Sequence, residues 1–408
     1  MAELAYLDPK DPAFRVDPYP MLAALRARQP LHWSPALKGW VALRYDTVRH
    51  VLSSGQHSSN GFTPYYAALP SEYKAQSETL MRYLGNWLVF TDPPDHTRLR
   101  RLTARVFTSR SLQTIRPNIE AIVSHLLDGL DGRDETDLVE AFSNPLPAYV
   151  IMDMLGVPRD MLADMKVWSD DIRLFIGVAV STDDKHARAR RGVEAMADAF
   201  RDLINIQRRA PKDNILALLI AARDEEGGGR LTDDELIATA ILFLFAGHET
   251  TTSLITMASL AMMRDEALRT RFLATEDADG IATAVEEFLR HDGPTPVMMR
   301  IATSDHELEG IPIPEGARIF PVIASANRDP EVFERPDEID LARAPNRHVT
   351  FGHGAHFCLG APLARMEAQI ALPALHRRFP RMTLAGEPAW ADGVTLRGPA
   401  SLPVRLGD

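Results

Sequence analysis

The segment Phe351–Gly360 constrains the fold of this chain more than any other. It contains Cys358, the only cysteine among 408 residues, and its glycines permit a turn that other residues resist. Residues 359–376, which follow, have the pattern of a helix. A thiolate in front of that helix would face backbone N–H groups and the positive end of the helix dipole, which both favour its charged form. The segment can therefore present one sulfur to one metal centre, although a lone cysteine is more often a small buried apolar residue.

The spacing Phe-Gly-x-Gly-x-His-x-Cys-x-Gly in this segment resembles the haem-binding loop of the cytochrome P-450 family at every position of the family pattern. The resemblance implies a mainly α fold with small β-sheets, a triangular helical prism with haem between a long central helix and the cysteine loop. It covers the chain from about Asp17 onward, so residues 1–408 are predicted to form a single domain. It further implies haem b (iron protoporphyrin IX) with Cys358 as its axial ligand, supported by Phe351, Gly352 and Gly360.

Composition narrows the class of protein. One cysteine excludes an intramolecular disulfide and is typical of a reducing compartment. The first fifteen residues are mixed, with three charged residues between positions 8 and 11 and two prolines. The longest apolar run, 236–246, is too short to cross a bilayer. A formal net charge of −11 argues against non-specific binding of nucleic acid. We therefore expect a cytoplasmic protein of the bacterial type, with no membrane and no nucleic acid among its partners.

The order of hydrophobic patterns predicts where helices and strands lie. The N-terminal part is predicted to contain a helix at 20–28, strands at 31–33 and 40–43, and a helix from Asp46. The aromatic segment 61–86 is predicted to be irregular. Residues 95–293 are predicted to be mainly helical, with breaks at Pro117, Pro145, Pro158, Pro211 and 227–229. Short strands are predicted between Thr295 and Val322.

A second unusual segment lies inside a long predicted helix. Thr232–Glu235 has the spacing of a capping box, and the helix is predicted to run to about Arg264. Its middle, Ala246–Thr251, contains glycine and two threonines, which are poor residues for a helix interior. A threonine hydroxyl can also bond a carbonyl one turn earlier and bend or open a helix. By itself this segment favours a kinked core helix with a buried threonine.

In a chain that also has the cysteine loop, the segment resembles the acid–threonine motif at which the family binds oxygen. The resemblance implies that the small Ala246 and Gly247 leave room for a diatomic ligand, while His248 faces away from the iron. Thr250 would supply a hydroxyl hydrogen bond, and Glu249 would connect it to protons from solvent. Oxygen activation needs two protons, so a hydroxyl beside a carboxylate suits that chemistry.

Four basic residues resemble the family's partners of the haem propionates, which need cations or strong donors. His96 and Arg100 are four residues apart at a predicted helix start and therefore share a face. Arg300 ends a predicted strand, and His356 lies two residues before the cysteine. Any one of these residues alone could be an ordinary surface charge.

Glu287 and Arg290 lie three apart on one predicted helix face, where such a pair is usually a solvated surface bridge. Here it resembles the family's Glu-x-x-Arg motif, and Arg343 matches the third member of that network. The resemblance implies a structural role, in which this network holds the core around the cysteine loop.

The predicted substrate pocket follows from the resemblance alone. Leu242 and Phe245 on the long helix, and Val297 and Met298 before Arg300, would face it. None is charged, which favours a neutral, apolar organic substrate, although each could equally be an ordinary core residue.

Electrons must come from another protein. No Gly-x-Gly-x-x-Gly fingerprint follows a strand, and a single cysteine cannot hold an iron–sulfur cluster. We expect a ferredoxin or flavodoxin with its reductase, and NAD(P)H as the indirect source. Arg98, Arg101, Arg105 and Arg365 are either a docking surface for this acidic partner or solvated helix faces.

These features predict a haem-thiolate monooxygenase that inserts one oxygen atom of O₂ into an apolar small molecule. A peroxide-driven hydroxylase is one alternative, but such relatives typically lack the acid–threonine pair. The other is a non-catalytic haem-thiolate protein that binds a ligand or acts as a sensor, in which Glu249 and Thr250 would have no purpose.

Overall fold

The computed structural model describes residues 6–107, 109–177, 184–223, 229–391 and 393–407. The helices of this part of the chain are α1 (Pro12–Val16), α2 (Tyr19–Arg28), α3 (Tyr45–Ser53), α4 (Phe62–Ala67), α5 (Ser71–Leu84), α6 (Asp95–Ala104), α7 (Ser109–Asp128), α8 (Pro145–Leu155), α9 (Leu162–Ile176), α10 (Lys185–Arg209), α11 (Ile215–Ala221), α12 (Asp233–Arg264), α13 (Glu266–Leu273), α14 (Ala278–His291), α15 (Ile323–Ala326) and α16 (Ala361–Arg378). The strands are β1 (Leu31–Ser34), β2 (Gly39–Ala42), β3 (His57–Ser58), β4 (Glu135–Asp137), β5 (Arg300–Ala302), β6 (His306–Leu308), β7 (Ile311–Ile313), β8 (Arg318–Pro321), β9 (Thr383–Leu384), β10 (Ala389–Trp390), β11 (Pro399–Ser401) and β12 (Pro403–Arg405).

The chain divides into two compact units, each assembled from separate segments. The first contains the described residues of Met1–His57, Pro117–Leu146 and Glu249–Asp408, and the second contains those of Ser58–Arg116 and Pro147–His248. Because the segments interleave along the chain, no single cut in the sequence separates the units. One domain over residues 1–408 stays a prediction.

The first unit is organised around small sheets. β1 and β2 form an antiparallel hairpin, β2 pairs in parallel with β8, and β8 pairs antiparallel with β5. Three smaller sheets have the strand orders β4-β12-β9, β10-β11 and β6-β7. A core cluster of this unit joins the main sheet to α3, with Val48, Val51 and Ile319 completely buried. Short strands lie between Thr295 and Val322, as predicted, and the ladder between the first of them and β8 begins at Arg300.

The second unit is built from helices that pack closely. α9 and α10 approach each other at Gly192, where a Cβ atom would lie 2.8 Å from the carbonyl oxygen of Trp168. A larger residue there would separate the two helices. The first part of α12 belongs to this unit, and its residues 236–245 are all buried.

α12 begins with the predicted capping box. The backbone N–H of Thr232 donates to the Glu235 carboxylate (2.8 Å), and the N–H of Glu235 donates to the Thr232 hydroxyl (3.2 Å). The helix stays α-helical through Ala246–Thr251 and ends at Arg264. Packing of an almost entirely buried helix therefore outweighs the weak helix propensity of its glycine and threonines.

Two expectations are wrong. Segment 61–86 is not irregular but contains α4 and α5. α5 has good helix formers and buries Leu80, Tyr83 and Leu84 on one face, a signal that its many aromatic and polar residues obscure. Pro117 does not break the chain but lies inside α7. The other predicted proline breaks coincide with helix ends, and most of 227–229 lies outside the described residues.

Among the described residues, no helix is both long and apolar enough to cross a membrane.

Buried histidines should make the stability of the protein depend on pH between 7.5 and 5. Burial lowers the pKa of His57 to about 4, of His291 to about 4 and of His376 to about 3. Histidine in the unfolded chain has a pKa of about 6.5. Below that pH the unfolded chain binds protons that the folded chain does not, so the free energy of unfolding decreases as the pH decreases. Each histidine should contribute a loss of about 2 kcal/mol at pH 5. Urea unfolding at both pH values measures this effect.

The variant His57→Gln serves as the control, since it should show a smaller difference between the two pH values, by about 2 kcal/mol. Carboxylates with ordinary or lowered pKa values contribute little in this range. Burial raises the pKa of Glu367, so its proton stabilises the folded state as the pH falls and opposes the effect of the histidines. The same difference between the two pH values in the wild-type protein and in His57→Gln would contradict the prediction.

Candidate functional site

The cysteine loop is a closed turn that leads directly into α16. Gly352 and Gly354 have φ angles of +77° and +74°, which side-chain-bearing residues rarely adopt. The N–H of Cys358 donates to the carbonyl of Phe351 (2.8 Å), so the two ends of the segment 351–358 are tied together. Gly360 then caps α16, which begins at Ala361. The backbone of the loop therefore fixes the position from which the Cys358 side chain extends.

The two sides of this loop differ in the space around them. A Cβ atom on Gly354 would lie 2.9 Å from the Cα of Ser53, so one side packs tightly on α3. A Cβ atom on Gly360 would meet nothing within 4 Å. Cys358 itself is partly exposed, unlike most free cysteines, and the neighbouring Phe357 is 41% exposed. A thiol beside open space fits a flat metal-bearing group such as haem.

Arg300 and His356 belong to the same unit as Cys358. Arg300 opens β5 and is only 4% exposed, and its guanidinium donates to the carbonyl of Met299 (2.9 Å). Burying a guanidinium is costly unless anions or carbonyls surround it. His356 ends a short 3-10 turn before the cysteine and is half-buried. Both residues suit an acidic group on the cofactor.

His96 and Arg100 lie one turn apart on α6, in the second unit. His96 is almost completely buried, and its pKa is lowered by burial and by the charge of Arg100. The start of α6 is anchored by Asp92, which accepts hydrogen bonds from the Ser58 hydroxyl and the backbone N–H of Ser59. A neutral imidazole beside a guanidinium can donate hydrogen bonds to a carboxylate.

Between residues 236 and 252, α12 is buried except at its middle. Ala246 is exposed, and Gly247, Glu249 and Thr250 are half-buried, whereas the preceding turns and Thr251 are buried. This opening fits a helix that faces a ligand. A Cβ atom on Gly247 would lie 3.3 Å from Ile151 of α8, so the glycine also allows the two helices to pack closely. His248 is buried, in agreement with a side chain directed into the protein.

Glu287, Arg290 and Arg343 form a buried network and not a surface bridge. Glu287 has no exposed side-chain surface, and it accepts two hydrogen bonds of 2.8 Å from Arg290. The Nε of Arg343 lies 3.1 Å from the same carboxylate. Arg290 also donates to the carbonyls of Asn327, Pro336 and Glu338. The network therefore fixes the irregular segment that precedes the cysteine loop.

The four residues expected to face substrate lie in different units of the protein. Leu242 and Phe245 are buried within the second unit. Val297 is bridged to Val322, and Met298 packs against the core cluster of the first unit, so both contribute to the core.

Sequence reasoning did not single out Trp87. It lies in the second unit, only 1% exposed, with its ring centroid 5.4 Å from that of Phe245. Its indole N–H has no hydrogen-bond partner among the described residues. No motif signals this residue, because its position depends on packing.

Two of the arginines considered for docking are held inside their own units. Arg98 pairs with Glu235, the capping residue of α12. Arg365 pairs with Glu286 at 2.6 Å. Both arginines are therefore less available to a partner protein than arginines on a solvated helix face would be.

Comparison with known proteins shows the family. The cytochrome P450 family model matches residues 41–272 and 281–388. A biotin biosynthesis cytochrome P450 of Bacillus subtilis is 35% identical over 376 residues, which is 91% of each chain. The monooxygenase PikC of Streptomyces venezuelae is 37% identical over 406 residues, 96% of this chain and 92% of its own.

The structural likeness agrees. A crystal structure of P450BioI in complex with hexadec-9Z-enoic acid ligated acyl carrier protein has a TM-score of 0.87 and 32% identity, and covers 96% of this chain and 98% of its own. The structure of myxobacterial CYP267B1 with myristic acid has a TM-score of 0.86 and 36% identity, with 98% of each chain covered. The chain therefore belongs to the cytochrome P450 family, has its mainly α fold, and is an oxidoreductase of the monooxygenase class. Membership implies a haem cofactor.

Proposed function

We propose that this protein inserts one oxygen atom of O₂ into an apolar organic molecule and takes its electrons from a separate ferredoxin or flavodoxin with its reductase. The observation that carries the proposal is the pairing, in one chain, of a partly exposed cysteine in a glycine-shaped loop with the exposed point of α12 at Ala246–Thr250.

Haem b would be held by a small set of residues. Cys358 would be its thiolate ligand, and Phe351 and Gly360 would shape the loop around that ligand. Arg300, His356, His96 and Arg100 would supply cations and hydrogen-bond donors to its two propionates. When bound, haem would supply the reductive activation of O₂, and a thiolate ligand favours cleavage of the O–O bond.

Glu249 and Thr250 manage protons. The Thr250 hydroxyl donates a hydrogen bond toward the reacting oxygen. A proton that it passes on is replaced from the groups around it. Glu249 is half-buried, so its carboxylate can exchange protons with solvent while it remains beside Thr250. The two residues are consecutive on α12, which is helical through this segment.

An apolar substrate is supported by the residues of the second unit. Leu242 and Phe245 present hydrocarbon surface, and no charged residue lies at the expected pocket positions. Relatives point the same way in their names: one is a 6-deoxyerythronolide B hydroxylase and one a vitamin D(3) 25-hydroxylase.

The electron donor is expected to be an acidic protein. Arg105 is exposed and Arg101 is half-buried on or beside α6, which leaves them as the remaining candidates for docking. NAD(P)H would act only through the reductase. The single cysteine is compatible with a reducing, cytoplasmic compartment.

A reconstitution experiment tests the proposal. Myristic acid and a set of terpenes, steroids and macrolides would be incubated with the protein, a surrogate ferredoxin, its reductase and NADPH under ¹⁸O₂. We expect a product with one ¹⁸O atom, and no more than a trace when hydrogen peroxide replaces the electron donors. Product with peroxide alone would indicate the peroxide-driven hydroxylase. Ligands that shift the Soret band without product under either condition would indicate a binding or sensor protein.

A further inference from the structure

A charged cluster lies against the cysteine loop and is not part of the Glu287 network. It consists of Glu286 on α14, Arg365 on α16, and His348 and Phe351 at the start of the loop; we call it the Glu286 cluster. All four residues belong to the first unit. Arg365 donates two hydrogen bonds to the Glu286 carboxylate, at 2.6 and 2.8 Å. This fork geometry fixes the guanidinium better than a single contact would.

The protonation states in the Glu286 cluster follow from its contacts. Burial alone would raise the pKa of Glu286, but hydrogen bonds from Arg365 and His348 lower it to about 2. The His348 Nδ1 accepts the backbone N–H of Thr350 (3.3 Å), so its Nε2 carries the proton and donates to Glu286 (3.0 Å). Glu286 is therefore a carboxylate near neutral pH, and it offsets the positive charge of Arg365.

Arg365 is held directly over the loop. Its guanidinium carbon lies 4.4 Å from the centre of the Phe351 ring, a cation–π arrangement. The carbonyl of Phe351 accepts the N–H of Cys358 at 2.8 Å. The Arg365 guanidinium is thus fixed on the ring of Phe351, and the backbone of Phe351 is hydrogen-bonded to that of Cys358.

A fixed cation near a thiolate stabilises its negative charge and favours the state of the centre with one more electron. A carboxylate bound to that cation has the opposite effect. The two charges of the Glu286 cluster should therefore act on the cysteine with opposite sign, and their geometry sets the balance.

We propose that the Glu286–Arg365 pair sets the reduction potential of the centre bound by Cys358: the guanidinium, held on Phe351, favours the added electron, and the Glu286 carboxylate opposes it. The inference rests on the proposed function, in which Cys358 is the haem ligand. It goes beyond that function because it assigns a role to a pair of residues outside the loop and outside the Glu287 network.

Redox titration of the holoprotein tests this role. Glu286→Gln keeps the size of the side chain and removes its charge, so the equilibrium between ferric and ferrous protein should shift about tenfold toward ferrous, about 59 mV for a one-electron couple. Arg365→Gln should shift it about tenfold toward ferric. A purely structural role would not give shifts of opposite sign. Arg365→Lys keeps the charge but loses the fork and the stacking, so it should shift the equilibrium partway toward ferric.

The exposed pair Arg378–Asp131 provides the matched control, since Arg378 lies at the far end of the same helix α16. Asp131→Asn and Arg378→Gln should leave the potential unchanged. Shifts of the same sign in Glu286→Gln and Arg365→Gln, or no shift in either, would overturn the proposal. If Glu286→Gln fails to fold, the reduction potential of Arg365→Lys tests the proposal instead, because an unchanged potential in that variant would contradict it.

The reduced CO spectrum of the wild-type protein separates this failure from failure of the proposed function. If the wild type lacks a thiolate-type band, Cys358 is not the ligand and both ideas fail. If the wild type has the band and the variants do not shift the potential, only the role of the Glu286–Arg365 pair fails.

Discussion

Replacement of Cys358 by serine should abolish the long-wavelength absorption band of the reduced, CO-treated protein after which the family is named. The physical reason is that a serine hydroxyl at this position is not ionised and cannot replace the electron density of a thiolate. No other cysteine exists in the chain to take its place. Product formation with surrogate electron donors should fall to background. The CO difference spectrum of wild type and Cys358→Ser, at matched haem content, measures the effect.

Phe357→Leu is a suitable control, because it changes the exposed side chain next to Cys358 and leaves the sulfur in place. This variant should keep the band. A Cys358→Ser variant that also kept it would mean that the band arises from another ligand, and the assignment of the loop would then be wrong.

The parts of the fold that could be predicted are those whose signals are local. The capping box at Thr232 and Glu235 and the helix after Cys358 depend on residues within a few positions of each other, and both are found. The Glu287–Arg290 pair is also local. Its burial, however, is not visible in the spacing, which by itself favours an exposed bridge.

The parts that could not be predicted depend on packing between distant segments. Segment 61–86 became helical because α5 buries one face, which neither its composition nor its aromatic residues reveal. The glycine at 247 meets Ile151, almost a hundred residues earlier in the chain. The pairing of Glu286 with Arg365 spans 79 positions and has no motif. Contacts between such distant segments are visible only in the three-dimensional structure.

Replacement of Thr250 by alanine should leave haem binding, CO binding and substrate affinity intact but uncouple electron use from product formation. Without the hydroxyl, protons no longer reach the reacting oxygen in the required order, so hydrogen peroxide should leave in place of product. We expect product per NADPH to fall on the order of tenfold. The measurement is the ratio of product to NADPH consumed, with hydrogen peroxide quantified in parallel.

Thr256→Ala is the matched control for Thr250→Ala. Its hydroxyl lies on the same helix but donates to the carbonyl of Thr252 (2.8 Å), so its loss should leave coupling unchanged. Full coupling in Thr250→Ala would remove this hydroxyl from the proton path. It would point to an ordered water or to a hydroxyl of the substrate as the group that delivers the proton.

Glu249→Gln, within the same prediction, distinguishes the entry of protons from their delivery. The amide keeps the shape of the side chain but cannot exchange a proton with solvent, so the whole cycle should slow by about 10²-fold without loss of coupling. The solvent isotope effect on turnover should rise, because proton uptake becomes the slow step. A Glu249→Gln variant with normal turnover would leave Thr250 in its role. Protons would then have to enter from another part of the molecule, and the half-buried position of Glu249 beside Thr250 would have no catalytic meaning.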